Sequence, residues 1–293
     1  MAIVSDKGNW KNQLNSKLAD FIANVFGARV NYILRYYSHR GHFPSFKYPK
    51  DLSERILSSM LSKDFLKYAD YADKVKVCEY VKKKGLEKIL LKQFGAWDDA
   101  NQIIFEILPE RFILKANNGC GGHYICTDKS TLNISFVIEK MNETLKEASH
   151  LRNTEPHYCA IKPKILAEEL MGDGVILPID YKFFCVKGKV LFVFIVIERE
   201  LGAKYITLDL NWKPLNYINK NKSTLNIPNK PENFAEMVHI AEILSSDFDF
   251  VRVDLYDYNG KVRFGELTFS PEGGIMSYFT DYAIEEIGKK FEE

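Results

Sequence analysis

The chain has little cysteine: five in 293 residues, at 78, 120, 126, 159 and 185. They are odd in number, widely spaced and never in Cys-x-x-Cys pairs, which excludes a disulfide framework and a zinc site and leaves buried or idle thiols. No apolar run approaches the roughly 18 residues of a membrane span, and the first residues lack the apolar centre of a secretion signal, so a cytoplasmic chain without a transmembrane segment is expected. No internal period appears, which excludes solenoids and propellers. Net charge is only +1, so the whole chain is no nucleic-acid binder.

What is present is globular: 46% hydrophobic, 27% charged and 13% aromatic residues. The length fits one large domain or two intimately packed ones. The small net charge hides a basic start. Residues 1–50 hold Lys7, Lys11, Lys17, Arg29, Arg35, Arg40, Lys47 and Lys50 against Asp6 and Asp20, eight against two, or +6. Such a region suits an acidic partner or peripheral contact with a membrane surface, or is simply a solvated helix face.

Apolar residues recur at helical spacing from Trp10 to about Tyr37, including Leu14, Leu18, Phe21, Ile22, Val25 and Phe26. Pro44 and Pro49 interrupt this run. A helix over 52–66 follows Asp51 or Ser53 as N-cap, and a third runs from about Asp73 to Gly85. Short β-rich segments come next, at 111–115, 124–126, 165–171, 181–186 and 190–196. Helices are expected between them at 130–148 and 231–245. In the second, Phe234, Met237, Val238, Ala241 and Leu244 form a core stripe.

Three segments could carry chemistry. In Phe250 to Gly274, FVRVDLYDYNGKVRFGELTFSPEGG, a hairpin sets Arg252 and Asp254 on one face and Val251, Val253 and Leu255 on the other. A two-residue Asn259-Gly260 turn would pair Asp254 with Gly265 and turn Glu266 away. A three-residue loop with Gly260 left-handed pairs Asp257 with Lys261 and sets Asp254 and Glu266 as same-face diagonal neighbours, roughly 7 to 8 Å apart. The second register is expected, because it lets both acids reach Mg2+. The alternative is an Arg, Glu and Asp surface ladder.

In Phe112 to Cys126, FILKANNGCGGHYIC, a strand ends in Lys115 and runs into a loop whose glycines would let backbone N–H groups approach phosphate oxygens. No helix starting Gly-Lys-Ser/Thr follows, so this is no Walker A loop, and a plain mobile turn is the alternative. Cys120 has no evident His-Asp pair to make it a nucleophile. In Lys164 to Phe184, an apolar strand breaks at Glu168-Glu169 and resumes at Asp180-Tyr181-Lys182. A strand-to-loop hinge can read an adenine edge, and an acid beyond it can bind ribose hydroxyls.

Taken in order, ADK, FILKANNGCGG, AEEL, DYKFF and FVRVDLYDYNGKVRFGELTFSP resemble the ATP-grasp superfamily, in particular its TupA-like, teichuronopeptide-biosynthesis branch, over nearly the whole chain. The resemblance implies an α+β fold in which two sheet-bearing subdomains clamp ATP, over 73–293, with residues 1–72 a helical region able to bind an acceptor. It implies Lys74 and Lys115 as phosphate-binding lysines and Asn117, Gly119, Gly121 and Gly122 as the loop over the β and γ phosphates. Glu168, Glu169, Leu170 and Met171 would form the adenine hinge, and Asp180 the ribose ligand. Lys182 and Arg252 would act on the transferred phosphoryl group, with Asp254 and Glu266 holding Mg2+. Thr268 stands where many relatives have Asn, which leaves a second Mg2+ in question.

The implied reaction is ATP-dependent amide formation through an acyl phosphate. It would join an amino acid or amine to a uronic-acid glycan in cell-surface polysaccharide biosynthesis, with Arg29, Arg35, Tyr36, Tyr37, His39, Arg40 and Lys47 near the acidic acceptor. A glycan or small-molecule kinase and a non-catalytic nucleotide-binding module are the rival readings.

Overall fold

The computed structural model describes residues 21–119, 121–149, 154–172, 178–197 and 203–293. Leu14 and Leu18 of the expected N-terminal stripe, the basic residues Lys7, Lys11 and Lys17, and Cys120 lie outside them. Residues 21–26 are helical, and Gly27, at φ 84°, separates them from helix α1, Ala28–Arg40. Helix α2, Leu52–Met60, starts where the Asp51 carboxylate accepts from the Glu54 N–H at 2.8 Å, which satisfies one of the open donors of the first turn. A 3-10 turn, Lys63–Tyr68, continues the chain where one longer helix was expected. Helix α3 is Val77–Lys83.

Among the described residues, ten strands form two antiparallel sheets. The first contains β1 (Gln93–Trp97), β2 (Phe112–Ala116), β3 (Tyr124–Cys126) and β4 (Ile165–Glu169) in the order β1-β4-β2-β3. The second contains β5 (Asp180–Val186), β6 (Lys189–Ile197), β7 (Lys204–Leu208), β8 (Pro214–Leu215), β9 (Phe250–Tyr258) and β10 (Lys261–Thr268) in the order β10-β9-β5-β6-β7-β8. Helix α4, Ile134–Ser149, backs the first sheet, and α5, Phe234–Ser245, backs the second. Helix α6 is Asp281–Lys289.

Each sheet has its own core. In β2, Phe112, Leu114 and Ala116 are buried while Ile113 and Lys115 are partly open, the alternation of a strand with one face on the core. Phe112 and Leu114 pack with Val137 and Met141 of α4. The larger core runs from Phe183, Val253 and Leu255 through Met237 and Leu244 to Tyr32, Tyr36 and Leu57. The N-terminal helices therefore share one apolar interior with the second sheet. Opposite faces of β5 and β9 are left for polar groups, and those faces look onto a cleft of about 280 Å3 between the sheets.

Candidate active site

Strand register assembles the centre of this cleft. Lys182 of β5 lies opposite Asp254 of β9, and Asp254 lies opposite Glu266 of β10. Opposed residues share a face, so Lys182, Asp254 and Glu266 stand abreast. One step along the same face, Arg252 pairs with Thr268, and in the other direction Tyr256 pairs with Asp180.

The hairpin reaches this register by a route the sequence reading did not expect. Its loop is the two-residue Asn259-Gly260, both left-handed at φ 53° and 68°, and Lys261 pairs with Tyr258 rather than Asp257. Asp254 faces Glu266 and not Phe264, because an extra residue, Gly265, bulges from β10 and shifts the register by one. The acids are direct neighbours, as a bulge permits. Gly265 has no room for a side chain: a Cβ there would lie 2.9 Å from both the Asp254 carbonyl oxygen and the Tyr256 ring. Gly265→Ala is expected to cost about 1–3 kcal/mol of stability, as overpacking does, measured as the shift in urea unfolding against wild type; an unchanged midpoint would show that the bulge has slack.

The polar contacts are dense. Arg252 donates from Nε and Nη2 to the two Asp254 oxygens, each at 2.7 Å, and from Nη2 to Glu266 Oε1 at 3.1 Å and Thr268 Oγ1 at 3.0 Å. Lys182 Nζ donates to Asp180 Oδ2 and Asp254 Oδ2. Lys74 Nζ lies 3.7 Å from Glu266 Oε2 and donates to the Gly119 carbonyl at 2.7 Å. Three cations thus meet three carboxylates. Burial raises the Asp254 carboxyl against the opposing pull of Arg252 and Lys182. Burial would raise Glu266 too, but Lys74, Arg252 and Lys182, with the Thr268 hydroxyl, outweigh it and hold it at about 2. Glu266 is more open than Asp254, its side chain 31% exposed against 2%.

The first sheet supplies the other wall. Lys115 Nζ donates to Glu168 Oε2 at 2.6 Å, and Ile113, Leu91, Leu170 and Met171 line the cleft beside them. Glu169 is exposed, and its N–H donates to the Lys92 carbonyl. Gly119 and Gly121 border the cleft. Gly122 sits where a Cβ would come 2.6 Å from Thr144 Cγ2 of α4, so the loop hugs that helix only as glycine.

Asn117 differs from its glycine neighbours. Its side chain is fully buried, donating to Asp73 Oδ1 and the Lys162 carbonyl and accepting from the Lys164 N–H. With the Lys74 N–H on the Asn117 carbonyl at 2.9 Å, it pins the Lys74 backbone to the end of β2. Two of the expected acceptor residues are also occupied inside the fold. Arg40 is spent on the carbonyls of Ile275, Met276 and Phe279 and on Asp281, and buried Tyr36 donates to Asp51 at 2.5 Å.

Sequence reasoning missed Ile113, Tyr256 and Leu91 on the cleft wall. Period-two counting from Lys115 and Asp254 would have found the first two; Leu91 lies outside any strand and carries no such signal.

The donor set fits a nucleotide with a hard cation. No cluster of three or more His, Cys, Asp or Glu side chains that could hold a metal exists among the described residues. Mg2+ needs less than that, since one or two carboxylates with phosphate oxygens and water satisfy it, and Asp254 and Glu266 supply two.

Residues 52–292 match the TupA-like ATPgrasp family. The chain belongs to that family, and its α+β architecture of two sheets around a cleft is the ATP-grasp fold. No curated protein matches. Among solved structures it is similar to the ATP-grasp ligase PsnB complexed with a phosphomimetic variant of its minimal precursor, Mg and ADP, at 12% identity and a TM-score of 0.42, over 78% of this chain and 60% of that one. It is also similar to D-alanine–D-alanine ligase from Bacillus anthracis, at 14% identity and a TM-score of 0.45, over 81% of this chain and 64% of that one. The chain thus spans under two thirds of those ligases.

Proposed function

We propose that this chain is an ATP-dependent carboxylate–amine ligase that activates a carboxylate as an acyl phosphate and joins it to an amine. The observation that carries the reading is the row of Lys182, Asp254 and Glu266 across three strands, with Arg252 bridging Asp254, Glu266 and Thr268. A carboxylate is a poor electrophile, and converting it to a mixed anhydride demands that charge be neutralised where phosphoryl transfer occurs. Three cations, Lys74, Lys182 and Arg252, set among the strand-borne acids Asp180, Asp254 and Glu266, suit that demand.

In this reading the backbone of Glu168 to Met171 takes the adenine edge and Asp180 the ribose. Lys74, Lys115 and the N–H groups at Gly119, Gly121 and Gly122 hold phosphates, and Asn117 keeps Lys74 in place. Asp254 and Glu266, with the Thr268 hydroxyl beside them, hold Mg2+, which supplies Lewis-acid charge at the phosphates. Family membership and the basic N-terminal region, residues 1–72, support a uronic-acid glycan as acid partner, an amino acid or amine as the other, and a place in cell-surface polysaccharide assembly in the cytoplasm.

The test is trapping. With ATP, Mg2+ and hydroxylamine, a uronic acid is expected to yield a hydroxamate together with ADP. Phosphorylated sugar without hydroxamate would replace the ligase by a kinase, and AMP would replace the acyl phosphate by an adenylate.

A further inference from the structure

Helix α1 is apolar on two sides. Its inner side buries Tyr32 and Tyr36 in the core of the second sheet. Val30, Leu34 and Tyr37, at helical spacing, form a stripe on the outer side, and they are 37%, 47% and 46% exposed. A helix on a protein surface normally carries polar groups there, and one that is apolar all round is covered by something. The helical stretch before Gly27 extends the pattern, since Phe21, Val25 and Phe26 are each more than half exposed.

At the other end of α1, Gly41 is left-handed at φ 76° and reverses the chain, a conformation glycine takes without strain. Phe43, 70% exposed, then packs on the Tyr37 ring with centroids 4.8 Å apart. Further back along the helix, the Arg29 guanidinium lies 5.4 Å from the centre of the Phe46 ring. Residues 43–46 therefore run back beside α1 and widen its apolar stripe. They are held in place, because the Ser45 N–H donates to Glu54 Oε1 at 2.8 Å and the Ser58 hydroxyl to the Phe46 carbonyl at 2.9 Å.

The charge of this surface has one sign. Between Asp20 and Asp51 the sequence holds no Asp or Glu, against Arg29, Arg35, Arg40, Lys47 and Lys50. Arg35 and Arg40 turn to backbone carbonyls of the fold, at Glu272 and Ile275. Arg29 and Lys47 stay exposed and lie over aromatic rings, Lys47 over Tyr48 at 5.2 Å. Exposed aromatic and aliphatic side chains set among cations, with no acid between them, suit an element that lies in the headgroup region of an anionic bilayer. A second copy of this chain would set the same cations against each other across a two-fold, and the centre of a protein–protein interface is poor in lysine. No helix among the described residues is long and apolar enough to cross a membrane, so the contact is with its surface.

We propose that the outer face of α1, widened by residues 43–48, docks on an anionic phospholipid membrane, with Leu34, Tyr37 and Phe43 entering the headgroup boundary and Arg29 and Lys47 meeting lipid phosphates. None of these residues lines the cleft between the sheets, so the proposal stands apart from the ligase reading.

The full chain is sedimented with vesicles of phosphatidylcholine alone and of phosphatidylcholine mixed about two to one with phosphatidylglycerol, beside a lipid-free control. Partition onto the mixed vesicles is expected to exceed that onto phosphatidylcholine by about tenfold or more, and to fall several-fold at high salt as the charges are screened. Leu34→Ser combined with Phe43→Ser should lower partition onto the mixed vesicles about tenfold, and Arg29→Gln combined with Lys47→Gln should bring it close to that onto phosphatidylcholine alone. All four side chains are exposed, so melting temperatures should match wild type; partition unchanged in both double variants overturns the proposal. Wild type alone also decides the placement, because amide hydrogen exchange over 41–48 should slow on the mixed vesicles, and protection confined to other segments overturns it. Equal partition onto the two kinds of vesicle overturns it as well. So does a wild type that stays in the supernatant with both, and a concentration-dependent dimer dispersed by Leu34→Ser would then assign the face to a second copy.

Discussion

Arg252→Met is expected to lower kcat by about 10²–10³ while leaving the Kd for ATP within a few-fold of wild type. The magnitude is that of removing one preorganised charge from a transition state, about 3–4 kcal/mol. The separation of the two effects follows from position. Arg252 lies one step beyond Asp254 on the side away from Tyr256 and Asp180, so it is removed from the end of the cleft proposed to take the adenine and ribose. Its guanidinium reaches both Asp254 oxygens, Glu266 and Thr268 together. The loss also leaves Asp254 buried with Lys182 as its remaining cation, and stripping a buried charge of one partner destabilises. A lower melting temperature is therefore expected alongside, and Arg252→Lys separates the two causes. Lysine restores charge and stability but, as a single point donor, cannot bridge four oxygens, so its kcat should stay depressed. Hydroxamate formation and calorimetric ATP binding measure both quantities, and unchanged turnover in Arg252→Met would remove the residue from the reaction.

How much of this site could be read from the residues alone depends on the kind of information each one carries. Period-two alternation in FVRVDLYDY placed Arg252 and Asp254 on one face because strand geometry leaves no other choice. The facing of Glu266 was legible only as a condition. The condition is met through Gly265 in mid-strand, and a glycine inside a strand is itself a bulge signal. Asn259-Gly260 is the commonest two-residue hairpin turn; accepting it, and then asking what Gly265 was for, would have led to the observed register. The loop beyond β2 was legible as a glycine-rich turn, whereas the inward side chain of Asn117 depends on Asp73, Lys162 and Lys164, contacts that local sequence does not encode. Arg40 and Arg35 look alike on the helix, five residues apart. One is caged by four carbonyl and carboxylate contacts with the chain some 240 residues on, and the other reaches the Glu272 carbonyl at 3.5 Å; only tertiary packing separates them.

Between neutral pH and about 4.5, the stability of the fold should fall through one buried histidine in particular. His157, in the short turn Pro156–Cys159, is fully buried, packed edge-on to Phe65 at 5.0 Å and beside Phe269. Neither ring nitrogen has a hydrogen-bond partner among the described residues. Burial pushes its pKa down to about 3, because an imidazolium there would lose its water and gain nothing in return. The unfolded chain takes up a proton near pH 6.5 and the folded chain does not, so the stability of the neutral form is complete above that pH and drains as pH falls toward 3. Between pH 7.5 and 4.5 this one group should remove about 3 kcal/mol, two units of unmatched protonation. Glu155 acts in the opposite sense: raised to about 7, it favours the fold below its unfolded pKa and loses that contribution as pH rises through 7. It is present in wild type and variant alike, so it drops out of the comparison. In His157→Phe, which keeps the ring and the packing, the loss of unfolding free energy between pH 7.5 and 4.5 should shrink by about 3 kcal/mol in urea titrations. Equal losses in the two proteins would mean that His157 is charged or solvated in the fold, and that the turn carrying Glu155 is looser than its packing implies.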